Sequence, residues 1–293
     1  MAACLNPYFG RVPNYQGSLP FPCGQCPICR SQKSAEWKLR CELEALCHST
    51  FAFITLTYCD KYLPFDRQLV PSHLSDFLKR LRKRLPYKIR YFACGEYGGK
   101  RGRPHYHLII FSLQPSDYPL VYECWHFADL SRYSRGIDVQ QGNYESLGYV
   151  AGYVAEKQSQ GYYLDNNITP PFHRASQGLG LKGYIMKLSG IFSSYILDSK
   201  NRVRYVGRYL RNKVADAFNI FEPIKQIGIE DLALKWQTIY QHFLDNEEHA
   251  ILTMRCPPGV LINKQYVAWR YYYKGSISDF FSKRRLLKQR LDL

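Results

Sequence analysis

Hydrophobic residues recur along this chain with two periods, and the switches between them mark its elements. From Ser31 to Cys47, Ala35, Leu39, Leu43 and Leu46 return at helical spacing with charged residues between them. Phe51–Tyr58 is rich in β-branched and aromatic residues and predicts a strand. After Pro71, Ser72 is placed to cap a helix whose apolar face is Leu74, Phe77, Leu78, Leu81 and Leu85. Tyr91–Glu96 and His105–Phe111 read as two strands, joined by the Gly-rich basic turn Tyr97–Arg103 into a hairpin with a cationic tip. Residues 112–141 are irregular apart from a short strand at Gly136–Val139. Gly148–Lys157 fits a helix, 160–215 mixes turns with basic segments, a helix is expected over Ile229–Phe243, and Phe281–Arg290 is basic.

Four segments follow from this pattern: a Cys-rich N-terminal segment with its helix (1–50), a central α+β core (51–160), a basic extension (161–222) and a helical, basic C-terminal region (223–293). The fold class is α+β, an antiparallel central sheet flanked by helices, expected over one face. The apolar share, 46%, is ordinary for a globular protein, while the formal net charge of +16 points to an acidic partner, nucleic acid first. Tyrosine beside Arg or Lys suits stacking on unpaired bases, although core packing explains most of the 25. No apolar run approaches a membrane span and the N-terminus lacks a signal-peptide pattern, so a cytosolic protein with reduced cysteines is expected. The absence of a Gly-x4-Gly-Lys-Ser/Thr loop argues against a nucleotide-driven helicase.

His105 and His107 stand two positions apart at the mouth of a strand, so alternation puts both imidazoles on one face and Tyr106 on the other. Across the hairpin Glu96 can add a carboxylate. This nitrogen and oxygen set suits Mg²⁺ or Mn²⁺ and leaves positions open for a phosphate oxygen; the plainer alternative is two solvated histidines at a strand end. Tyr149, Tyr153 and Lys157 recur four apart and would line one helix face, either as nucleophiles helped by an ammonium or as a packed stripe. Two basic clusters flank these residues in sequence: Lys79, Arg80, Arg82, Lys83 and Arg84 on the helix, and Lys100, Arg101 and Arg103 at the hairpin tip. Both are candidate phosphate contacts, with a solvated charged face as the ordinary reading.

Together these elements resemble the HUH endonucleases, in particular the two-tyrosine initiators of rolling-circle replication. Phe53-Ile54-Thr55-Leu56-Thr57-Tyr58 is similar to that family's first motif, His105-Tyr106-His107 to its second, and Tyr149–Lys157 to its tyrosine motif. The pattern Pro22-Cys23-Gly24-Gln25-Cys26-Pro27-Ile28-Cys29-Arg30 is similar to one in the initiators of microvirus, gokushovirus-like, single-stranded DNA phages. Phe172–Gly180 resembles a further segment of theirs but lacks its Arg and Pro. The resemblance covers about residues 20–215.

It implies Glu96, His105 and His107 as metal ligands, Tyr149 and Tyr153 as nucleophiles, and Lys157 steadying phenolate or phosphate. The reaction implied is nicking and rejoining of an origin strand through a 5′-phosphotyrosine link, without a nucleotide cofactor. The implied setting is the cytoplasm of a bacterial host, with the host's helicase and polymerase as partners and no membrane. A relaxase or transposase with the same chemistry is one rival, and a non-catalytic protein that binds or packages single-stranded DNA is another. Cys23, Cys26 and Cys29 resemble part of a Zn²⁺ site whose fourth ligand stays open among Cys41, Cys47 and His48; the alternative is a set of reduced thiols.

Overall fold

In the computed structural model the described residues are 3–13, 15–98, 102–129, 136–152, 160–188, 192–198, 201–254 and 263–291. Two short strands, β1 (Tyr8–Gly10) and β2 (Leu19–Phe21), precede helix α1 (Pro27–Ala45). Next come β3 (Phe51–Thr57), α2 (Pro71–Arg84), β4 (Arg90–Tyr97), β5 (Pro104–Phe111), α3 (Tyr118–Cys124) and β6 (Ile137–Gln141). These are followed by α4 (Tyr144–Gly152), α5 (Gln160–Asp165), β7 (Phe172–Ala175), α6 (Leu181–Lys187), β8 (Tyr195–Leu197), β9 (Val203–Tyr205) and α7 (Arg208–Ala217). The chain ends in α8 (Phe221–Leu244), α9 (Glu247–Thr253), α10 (Lys264–Tyr272) and α11 (Lys274–Leu291). Two compact units result: Lys33–Ala217, and Met1–Gln32 together with Phe218–Leu293. Among the described residues no helix is long and apolar enough to cross a membrane.

The unit Lys33–Ala217 is built on a five-stranded antiparallel sheet in the order β6-β3-β5-β4-β7, which puts the His-x-His strand β5 at its centre. Gly95 makes room at the β4–β7 edge, since a Cβ there would lie 2.7 Å from the Phe172 ring.

Helices cover both faces of the sheet, where a covering of one face was expected. The continuous apolar run Leu108-Ile109-Ile110-Phe111 explains this, because alternation sends oily side chains to both sides of β5 and each side must be buried. On one face Ile54, Leu56, Tyr106, Leu108 and Ile110 pack with Leu74, Phe77, Leu78 and Leu81 of α2 and with Val121, Cys124 and Trp125 around α3. On the other, Phe92, Cys94, Ile109 and Phe111 pack with Cys41 and Ala45 of α1 and with Leu147, Val150 and Ala151 of α4.

Helix α2 starts one residue earlier than Ser72 would allow as a cap. Val70 is its N-cap and Pro71 takes the first turn, where a missing N–H costs nothing. Helix α3 was not legible because it is short and opens on a proline. Beneath the central strand Tyr58, His73 and Tyr106 form a buried polar knot. The two phenolic oxygens lie 2.7 Å apart, Tyr58 meets His73 Nδ1 at 2.9 Å, and Tyr106 donates to Val70 O while accepting from Val70 N–H. Burial pushes both phenols up, so they stay protonated.

In the other unit, Leu19 of β2 packs with Trp236, Ile239 and Phe243 of α8 and with Val267, Ala268 and Tyr271 of α10. The Cys-rich segment and the C-terminal region, far apart in sequence, thus share one core.

Phe77 is fully buried in the α2-side core, so Phe77→Ala should cost about 3–5 kcal/mol of unfolding free energy in denaturant titration. The fully exposed Phe65→Ala should change it by no more than about 0.5 kcal/mol. A second expectation concerns acid. Burial against Trp37 and Phe92, with Lys33 and Arg40 close by, pulls His173 down to about 4. The unfolded chain takes up this proton near pH 6.5 and the folded chain only near 4. Its stabilising contribution is therefore full above about pH 6.5 and is lost as pH falls towards 4. His173→Phe should flatten the loss of stability across that window relative to wild type, measured by denaturant titration at several pH values.

Candidate active site

The register of three strands assembles the site. His105 lies opposite both Thr57 of β3 and Glu96 of β4, and His107 lies opposite Thr55 and Cys94. Both imidazoles, both threonines and Glu96 therefore share the α1/α4 face, while Tyr106 points into the opposite core. Along β5 this face changes character: Ile109 and Phe111 are covered by helices, and the histidines occupy the end beyond them.

Glu96 and His107 are buried, and Glu96 Oε1 stands 3.2 Å from His107 Nε2. Two donor atoms bound to one ion at about 2.1 Å and at right angles are about 3 Å apart, so this spacing fits a shared divalent ion. Both histidines use Nδ1 elsewhere. His107 Nδ1 meets Thr55 Oγ1 at 3.0 Å, and His105 Nδ1 meets Arg103 O at 2.6 Å. With Nδ1–H donating to an oxygen acceptor, the lone pair lies on Nε2, the tautomer a metal ligand needs. Burial holds His105 below the ordinary histidine value, opposed by its bond to Arg103 O and reinforced by neighbouring His107, so the ring is neutral at pH 7.

His105 stands further off than the Glu96–His107 pair. The two rings are nearly parallel, with centroids 6.3 Å apart. Its place depends on Gly98, where a Cβ would approach His105 Cε1 to 2.9 Å. Thr55 and Gly98 are thus site residues that the motif pattern did not single out. The signal for Thr55 was its parity on β3, which follows from pairing with β5.

Helix α4 brings Tyr149 to the same place. Leu147, Val150 and Ala151 anchor the helix on the sheet, and Ser34 Oγ donates to Ala151 O at 2.8 Å. Tyr149 lies on the helix's other side, 53% exposed, its ring edge-on to His107 with centroids 5.7 Å apart and to Phe53 at 5.8 Å. The ligands are thus buried and the phenol open to an incoming strand. Tyr153 and Lys157 lie outside the described residues.

The expected phosphate contacts separate. Lys79, Arg80, Arg82, Lys83 and Arg84 ride on α2, which covers the face opposite the imidazoles. Several are engaged there: Lys79 with Asp76, Arg80 Nε with Cys124 O, Arg84 with Glu123, and Arg82 over the Tyr91 ring. Arg103, at the base of the hairpin tip, donates to Tyr58 O and pairs with Asp60. Lys100 and Arg101 lie outside the described residues.

The cysteines regroup too. Cys23, Cys26 and Cys29 meet Cys4, and none of the three residues considered as fourth ligand joins them. Cys41 is buried under the sheet, Cys47 Sγ lies by Leu43 O, and His48 spends its ring nitrogens on Ser112 and Glu44.

Comparison with known proteins bears on the same stretch. Residues 51–158 match the family of the replication-associated protein ORF2, a span from β3 through the imidazole strand and α4. The chain is 32% identical over 207 residues to replication-associated protein ORF2 of Spiroplasma virus 4, covering 65% of this chain and 61% of that protein. It is 31% identical over 186 residues to replication-associated protein ORF4 of Chlamydia phage 1, covering 57% and 46%. With replication-associated protein VP4 of Bdellovibrio phage phiMH2K it is 32% identical over 178 residues, covering 55% of each. The chain spans about half to three-fifths of the length of these relatives. No solved structure matches it. The chain is a relative of the microvirus replication-associated proteins.

Thr55→Val keeps the shape and removes the acceptor that orients His107. It should weaken Mn²⁺ binding about 10- to 100-fold by calorimetry, with recovery in Thr55→Ser. Equal affinity in wild type and Thr55→Val would rule out this orienting role.

Proposed function

We propose that this protein is a rolling-circle replication initiator that nicks and rejoins single-stranded DNA through a tyrosine nucleophile. The observation that carries the reading is the exposed Tyr149 ring edge-on to His107 of the buried Glu96–His107 pair. Glu96, His105 and His107 would hold a Mg²⁺ or Mn²⁺ ion, which when bound supplies positive charge for a phosphate oxygen and for the departing oxygen.

In the reaction proposed, the Tyr149 phenolic oxygen bonds to the scissile phosphorus as the bond from phosphorus to the 3′ oxygen breaks. The phenol gives up its proton and the 3′ oxygen takes one up. A phosphodiester is exchanged for a phosphodiester, so resealing is the reverse attack by a 3′-hydroxyl and needs no nucleotide. The chain's own part is positional: Thr55 and Arg103 O fix the imidazole tautomers, and α4 presents the phenol to solvent beside them. Tyr153 is the expected second nucleophile, free to capture a new 5′ end while Tyr149 is esterified, and Lys157 the cation steadying phenolate or phosphate. The implied partners are a single-stranded origin and the host's helicase and polymerase.

The test is incubation with labelled single-stranded origin DNA and Mn²⁺ or Mg²⁺, followed by a denaturing gel. Wild type should yield a covalent protein–DNA band, mapped by peptide analysis to Tyr149 and Tyr153. Joint His105→Ala and His107→Ala substitution should lower its formation about 100-fold or more while leaving salt-sensitive DNA binding. No band from wild type with either metal, alongside intact DNA binding, would instead indicate a binding or packaging protein.

A further inference from the structure

Residues 3–32 have little periodic apolar pattern, yet they take a defined course against α10 and α11. Four thiols converge in this segment: the Sγ atoms of Cys4, Cys23, Cys26 and Cys29 all lie within 4.8 Å of one another. Those of Cys4 and Cys26 are 3.9 Å apart. Four sulfurs placed tetrahedrally about 2.3 Å from one ion are spaced about 3.8 Å, which is the scale seen here. Paired disulfides would instead require sulfurs about 2.05 Å apart within each pair. An iron–sulfur cluster attaches its cysteines at the outer irons and holds their sulfurs further apart than one shared ion does.

The backbone is arranged around these sulfurs. Leu5 N–H donates to Cys26 Sγ at 3.4 Å, Cys23 N–H to Cys4 Sγ at 3.3 Å, Cys26 N–H to Cys23 Sγ at 3.3 Å and Cys29 N–H to Cys26 Sγ at 3.5 Å. A thiol sulfur is a weak acceptor and a thiolate a much better one, so N–H groups gathered on sulfur favour the anionic form that a metal requires. Cys4, Cys26 and Cys29 are buried, and the cluster packs with Ile28, Leu5 and Ile277.

We propose that Cys4, Cys23, Cys26 and Cys29 form a closed, structural Zn²⁺ site. Four thiolates with no open position suit zinc held for folding and not for catalysis. The site ties the N-terminal segment to the C-terminal helices. Trp269 Nε1–H of α10 donates to Cys4 O at 2.8 Å, and Ile277 and Phe280 of α11 pack on the cysteines. The free energy of metal binding is then folding free energy for this unit.

The full-length chain carrying the His105→Ala and His107→Ala substitutions, which remove the other candidate metal site, should be purified without chelator and analysed by elemental mass spectrometry. About one zinc per chain is expected, retained through dialysis and released by a thiol-reactive mercurial. Adding Cys4→Ser and Cys29→Ser should remove it. Cobalt exchanged into the unsubstituted chain should give the intense visible bands of a tetrahedral thiolate site, a readout independent of whether the cysteine variant folds. Stripping the metal should speed amide hydrogen exchange in residues 3–32 and 264–283 while β3, β4 and β5 stay protected. Zinc well below one per chain, iron in its place, disulfide-linked cysteines, zinc retained by the cysteine variant, or unchanged exchange after stripping would each overturn the proposal.

Discussion

The site depends on backbone register. Three antiparallel strands bring Thr57, His105 and Glu96 into one row and Thr55, His107 and Cys94 into the next. A slip of one residue in either pairing would send its partners to the opposite face, because the side-chain period of a strand is two. What prevents the slip is the rest of β5. Leu108 and Ile110 must meet α2 while Ile109 and Phe111 meet α1 and α4, so the two cores pin the register from both sides. A polar, metal-ready end is held in line by an apolar end that has only one way to be buried.

The same division separates the tyrosines by role. Tyr106 sits between the two histidines in sequence, yet alternation drives it into the core, where Tyr58, His73 and Val70 satisfy its hydroxyl. Burial keeps both of those phenols protonated. Tyr149 reaches the site from a helix and keeps about half its surface in solvent. Phenols of identical intrinsic chemistry are thus sorted into scaffold and candidate nucleophile by burial alone.

Much of the core was legible because its signals are local. Period-two runs marked β3, β4 and β5, the glycines of the tip marked the hairpin, and His-x-His implied a shared face. Contacts between distant residues were not legible. Cys4 joins Cys23, Cys26 and Cys29 from a segment with no period, so spacing alone pointed to nearby Cys41, Cys47 and His48 instead. The basic stripe of α2 flanks the histidines in sequence but lies across the sheet from them, since proximity in a chain does not say which face a helix will cover. Leu108-Ile109-Ile110-Phe111 did carry the sign of a two-sided core, and its continuity outweighs the expectation of a single covered face. Tyr153 and Lys157, the remainder of the tyrosine motif, lie outside the described residues.

One compact unit combines residues on either side of the other, which is continuous from Lys33 to Ala217. On the ribosome this imposes an order. The sheet and its imidazoles have all their partners once Ala217 has emerged, whereas Leu19 must wait for Trp236 and Val267, and Cys4 for Trp269 and Ile277. During that interval the N-terminal thiols are translated but not yet covered, and the nascent chain holds a complete candidate nicking site before its terminal unit can close.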